Sequence, residues 1–212
     1  MFNATHHRPM LAAALAAGAL AATALAGDSS SWLYLPCAEG SEGNGTFTAM
    51  VTYSWTGGST SSISVELTNT GTSMLSDGYI TAIALNGAPG TTGMSFISCT
   101  SANFGGLAGP VNAAPFGDFM VGASLGQNWE GGGQPSNGIA VGVTETFVFS
   151  MAGDAALLGS LSAQDCLDST GYAMAIRFRG GEGGKVLGCA VPGPGAAALF
   201  AIGGLLGRRR RS

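Results

Sequence analysis

The stretch best equipped for chemistry is WEGGGQPSNG, Trp129 to Gly138. It sets an indole, a carboxylate and two amides (Trp129, Glu130, Gln134 and Asn137) on a glycine-rich loop. Such groups recognise sugars, the ring stacking on a pyranose face and the amides bonding its hydroxyls. The competing reading is a long surface loop between two strands, made permissive by glycine. Asp118, Glu130 and Glu145 are the carboxylates from which a glycosidase pair would be drawn. That chemistry needs two of them about 5 to 9 Å apart, a separation the sequence does not set. Arg177 and Arg179 flank Phe178 on one face of an expected strand, either as ion-pair partners of acids or as contacts for an anionic polymer.

Other chemistries lack their residues. Both histidines, His6 and His7, precede the domain, so Gly27 to Ala190 has none. That removes the commonest general base, the commonest zinc ligand and the middle member of a Ser-His-Asp triad. No Gly-Lys-Ser/Thr follows the glycines, so a phosphate cradle is not read, and no DxDxDG loop suggests calcium. The chain is therefore read as a non-enzyme, with no catalytic residue, metal or cofactor. From Gly27 to Pro192 three basic residues, Arg177, Arg179 and Lys185, face twelve acidic ones, a net charge of −9 against −4 for the whole chain. Such a surface repels phosphate backbones, so nucleic acid is not an expected partner. Asn44-Gly45-Thr46 fits a glycosylation acceptor and is read as a turn.

The residues that must position these groups read as strands. Thr46 to Trp55, Ser61 to Thr70, Tyr79 to Asn86, Met94 to Thr100, Phe116 to Ser124, Val143 to Met151 and Tyr172 to Gly180 are rich in β-branched and aromatic residues. Turn signals separate them. In SSISVELTNT, Ile63, Val65 and Leu67 alternate with Ser62, Ser64, Glu66 and Thr68, the period of a half-buried strand. In YITAIALN the same period sets Ile80, Ala82 and Ala84 against Tyr79, Thr81, Ile83 and Leu85. One short helix is expected over Ser160 to Leu167, capped by Ser160. The fold expected is all-β, an antiparallel β-sandwich or jelly roll with one short helix, and with a helix at each end of the chain.

Four cysteines, Cys37, Cys99, Cys166 and Cys189, lie in this domain without a CxxC pair. Two disulfides are expected in an exported chain. Three pairings are open, and the reading leans towards Cys37 with Cys189, tying the domain's ends together and leaving Cys99 with Cys166.

Export is read from the first 26 residues. A weakly basic start precedes the apolar stretch Leu11 to Ala22, and Ala24 and Ala26 are the small residues of a signal-peptidase site before Gly27. At the other end VPGPG leads into an apolar run of thirteen residues, Gly195 to Gly207, and then Arg208, Arg209, Arg210 and Arg211. As a helix, the run from Val191 or from Gly195 spans roughly 20 to 25 Å, short of the ~30 Å hydrocarbon core. The arginines would be held on the cytoplasmic side. With Val191, Pro192 and Pro194 before it, this tail resembles the PEP-CTERM sorting signal of bacteria that make extracellular polysaccharide, with Gly193 standing where the family name has Glu. The resemblance implies removal of residues 191–212 by an exosortase, a membrane protease, after transient anchoring. It reaches into VELTNTG (Val65 to Gly71), Gly126 to Gly142 and Ile176 to Gly184, which are similar to stretches in exported domains with this tail. What it implies for residues 27–190 is a non-catalytic domain sorted to the cell envelope or extracellular matrix, with polysaccharide as its partner. The alternatives are a carbohydrate-binding surface module and a simple single-pass anchored protein.

Overall fold

The computed structural model describes residues 29–37, 42–168 and 172–190. The signal segment with Ala24, Ala26 and Gly27, the tail from Val191 to Arg211 and both expected end helices lie outside them.

The described chain is built on a ten-stranded antiparallel sheet. In chain order its strands are β1 (Ser29–Pro36), β2 (Phe47–Ser54), β3 (Thr60–Asn69), β4 (Tyr79–Leu85), β5 (Gly93–Cys99) and β6 (Gly105–Leu107). The small hairpin β7 (Val111–Asn112) and β8 (Asp118–Phe119) stands apart, and β9 (Val121–Ser124), β10 (Thr144–Ala152), β11 (Met174–Arg179) and β12 (Lys185–Ala190) complete the sheet. The spatial order is β5-β10-β3-β2-β1-β12-β11-β4-β9-β6. The all-β antiparallel expectation holds, but one continuous sheet takes the place of two. It curls until its edges nearly meet, because β6 carries glycine where β5 presents a ring: a Cβ on Gly106 would lie 2.7 Å from Phe96. Bringing the edges together shields the unpaired backbone groups that an open sheet leaves exposed.

The inside of the roll is the main core. Phe47, Ala49, Val51 and Tyr53 of β2, Ile63, Val65 and Leu67 of β3, and Phe147, Phe149 and Met151 of β10 are all buried there. The alternation read in SSISVELTNT is therefore the observed one. Edge-on ring pairs line this core: Phe96 meets Phe149 on the neighbouring strand at 5.8 Å, and Phe104, just before β6, reaches Phe147 of β10 at 5.1 Å across the gap between the sheet's edges.

In β4 the expected alternation breaks. Arg177 of β11 pairs with Ala82 and Phe178 with Ile80, which leaves Thr81 as an extra residue. A bulge turns the side chains that follow it to the other face. Ile80 consequently joins Ile83 and Leu85 in the main core, while Ala82 and Ala84 face outward into a second one. Leu107, Val111, Phe116, Phe119 and Trp129 form that second core with Ala175 of β11 and Leu187 of β12. Residues 107–119, joined by Trp129 from beyond β9, thus make a flap over the outside of the β4, β11 and β12 region.

The helix is also displaced: α1 spans Ala155–Ser160, not 160–167. Asp154 caps it, its carboxylate accepting from the amides of Ala156 (2.8 Å) and Leu157 (3.3 Å). Ser160 is its last residue, donating its hydroxyl back to the Leu157 carbonyl at 2.7 Å. With the turn that follows, α1 plugs one end of the roll. There Tyr53 Oη donates to the Leu158 carbonyl (2.7 Å) and Ser30 Oγ accepts from the Ala163 amide (2.7 Å).

Cys37 and Cys189 are joined, with Cα atoms 5.1 Å apart and a sequence separation of 152. The second expected bridge is absent, for Cys99 and Cys166 are both free. Cys99 pairs across the sheet with Phe147, towards the end away from the plug, whereas Cys166 is buried in the plug itself. Burial pushes the Cys166 thiol up to about 12 and raises that of Cys99 as well, so neither is an activated nucleophile.

Candidate functional site

At the end of the roll opposite α1, the three glycine-rich stretches of the sequence converge. Asn69, the last residue of β3, organises them. It is fully buried, and its Nδ2 donates to the carbonyls of Gly78 and Ile139, both at 3.0 Å. Its Oδ1 accepts from the Gly71 amide at 3.1 Å. A buried amide with its hydrogen bonds satisfied fixes three segments at once, and one left unsatisfied would cost about 1–3 kcal/mol.

Asp77 holds the neighbouring loop. Its Oδ2 accepts from Ser76 Oγ (2.7 Å) and from the amides of Thr72 (2.9 Å) and Ser73 (3.2 Å). The Ser76 hydroxyl, helped by these amides and opposed by burial, holds its carboxyl below the usual value. The third stretch packs so close that no side chain fits: a Cβ on Gly183 would stand 2.1 Å from the Asp77 carbonyl.

The loop displayed by Trp129 to Asn137 is strapped to this end by every basic residue between Gly27 and Ala190. Glu130 pairs with Arg177 at 2.6 Å and with Lys185 at 3.0 Å. The cations are also bound to backbone, Arg177 to the Trp129 carbonyl (3.2 Å), Lys185 to that of Ala114 (2.8 Å) and Arg179 to those of Gly132 and Gly133 (3.4 Å each). Lys185 first, then Arg177, lowers the Glu130 carboxyl from its ordinary value, with burial opposing. The cation donors are turned into the protein's own loop, so the arrangement is a strap. No family model, no curated protein and no solved structure matches the chain.

The expected sugar contacts are therefore divided. Trp129 is 2% exposed and lies in the second core, its Nε1 without a partner, in place of the open stacking platform its loop suggests. Glu130, Gln134 and Asn137 are exposed, Gln134 and Asn137 around the 3-10 turn Pro135–Asn137. The three candidate catalytic carboxylates each have a different partner: Asp118 accepts from Asn112 (3.1 Å), Glu145 from the Thr100 hydroxyl, and Glu130 from the strap. Among the described residues, no group of three or more His, Cys, Asp or Glu is placed to share a metal ion, and no helix is long and apolar enough to cross a membrane.

Asn69, Asp77 and Lys185 do most to hold this end, and sequence reasoning had not singled them out. The available signals were local. Asn69 ends an alternating strand before Thr-Gly, Asp77 precedes Gly78 in a turn, and Lys185 begins a strand whose buried faces hide its period.

Proposed function

We propose that the protein is exported, anchored briefly through its C-terminal apolar run, released by removal of that tail, and retained in the envelope or extracellular polysaccharide matrix without catalysing a reaction. The observation that carries this reading is the tail itself, Pro192, Pro194, the apolar run and Arg208 to Arg211, on a domain clamped by Cys37–Cys189. A disulfide suits an oxidising compartment. The strand pairing suits a tethered domain: β1 and β12 are antiparallel neighbours, Tyr34 opposite Ala190, so the chain starts β1 and leaves β12 at the same end. That is the plugged end. The loop-bearing end then points away from the membrane during anchoring.

The test replaces Arg208, Arg209, Arg210 and Arg211 with Ser in the full chain and follows where the protein collects. Wild type is expected in the envelope and matrix fractions, and the variant, lacking its topological stop, in the medium. An unchanged distribution would remove the sorting role of the tail.

A further inference from the structure

Across the outer face of β2, β3, β10 and β5 the sheet register lines up a rank of serines. Ser54 pairs with Ser62, Ser62 with Ser150, and Ser150 with Ser95. The next rank sets Thr52 opposite Ser64, and beyond the rank of Met50, Glu66 and Thr146 come Thr48 opposite Thr68 and Thr68 opposite Thr144, the last two with hydroxyls 2.7 Å apart. Sheet geometry spaces such hydroxyls about 4.8 Å apart across strands and about 6.8 Å along them.

One irregularity turns this rank into a groove. Where β10 pairs with β5, Val148 lies opposite Ser98 and Phe149 opposite Phe96, so Ile97 is the extra residue of a bulge. It is pushed outward and is 59% exposed, a large apolar side chain beside the serine rank. Bulges re-aim side chains in this way and recur beside functional sites. The resulting groove, of about 330 Å³, has Ser54, Thr60, Ser62 and Ser150 on its polar side and Ile97 and Val148 as its apolar contact. None of its nine lining residues carries a charge.

That neutrality selects the ligand. The domain's net charge of −9 repels polyanions. Its cations are committed to the Trp129 loop at the other end of the roll, Arg177 and Lys185 through Glu130 and Arg179 through the carbonyls of Gly132 and Gly133. A groove of donor-acceptor hydroxyls beside an aliphatic side chain matches a neutral, polyhydroxylated chain, whose hydroxyls bond the serines while its C–H face lies on Ile97. We propose that this groove binds neutral polysaccharide, and that it does so in place of the Trp129 loop. The proposal rests on the matrix reading above and names the surface that reading requires.

The test uses the exported protein purified from its native surface, with insoluble neutral β-glucan as the probe and alginate as the anionic comparison. Wild type is expected to be retained by the glucan and not by alginate. Ser62→Asp with Ser150→Asp puts two charges in the groove without touching the core, and should weaken retention at least about tenfold, a change of ~1.4 kcal/mol. A thermal unfolding midpoint near wild type confirms that the double variant folds, and Glu130→Gln should bind as wild type does. Failure of wild type to bind the glucan, equal retention of the double variant, or equal binding to alginate each overturns the groove. Matrix localisation without glucan binding would leave the sorting reading standing and remove the groove. Glucan binding by a protein that is never sorted would do the reverse.

Discussion

The two halves of the rolled sheet solve burial differently. In β2, β3 and β10 only the inner face is covered, so Phe47, Val51, Ile63, Val65, Phe147 and Phe149 alternate with outward residues that are mainly Ser and Thr, with Met50, Glu66 and Val148 among them. In β4, β11 and β12 the flap covers the outer face as well, and six of the seven residues of β4 are buried. The outer face there is small, with Ala82, Ala84 and Ala175, because the rings of Phe116, Phe119 and Trp129 need room above it. One half leaves its outer face open, largely to hydroxyls, and the other covers it with a second layer. The seam between them, β1 against β12, has three paired residues and is clamped by Cys37–Cys189.

The largest expected effect lies in the covered half. Trp129→Ala empties the centre of the second core and should cost about 3–5 kcal/mol in a denaturant titration. Thr52→Ala on the open face should stay within about 0.5 kcal/mol, and similar losses for both would erase the distinction. Opening the seam comes next: Cys37→Ser should cost about 2–5 kcal/mol, since the bridge closes a long loop. Full stability on reduction would show that the strand pairing holds the seam alone. A sharper probe enlarges one outward residue in each half. Ala84→Leu should lose about 1–3 kcal/mol through overpacking beneath the flap, whereas Ser64→Leu should change stability by no more than about 0.5 kcal/mol.

The smallest effect is the strap. Glu130→Gln breaks two ion pairs whose carboxylate is exposed to solvent and should cost about 0.2–1 kcal/mol, less in high salt. Because the folded carboxyl titrates below its ordinary value, the wild-type advantage is present above the unfolded pKa and is lost as pH falls through the folded one. Unfolding midpoints of wild type and Glu130→Gln should therefore converge below about pH 4.5. A difference that persists in acid would assign the strap to packing.

The same contrast explains what the sequence disclosed. Strands covered on one face carry their period openly, and β2, β3 and β10 were read nearly to the residue. Burial on both faces removes the period: KVLGCA of β12 buries Val186, Leu187 and Gly188 in succession and gave no strand signal. The bulge at Thr81 reversed Ile80 against expectation, because a single extra residue leaves no trace in composition. β6 and β7 are three and two residues long, too short for any pattern. The helix was misplaced because Ser160 and Asp154 are both good caps, and the choice fell to packing of Leu158 into the core. At the candidate site, Trp129 looked like a platform because a tryptophan beside three glycines reads the same whether the loop is lifted or strapped down. The cations that strap it are about fifty residues away in sequence.

The central claim, an exported domain released from its tail, is most directly tested by the intact mass of the protein recovered from its native surface under non-reducing conditions. The expected mass begins at Gly27, lacks Arg208 to Arg211, is lighter by two hydrogens for the Cys37–Cys189 bridge, and rises by two alkyl groups when the unfolded protein is treated with a thiol reagent. A mass that retains the four arginines would contradict release and leave a membrane-anchored protein in its place.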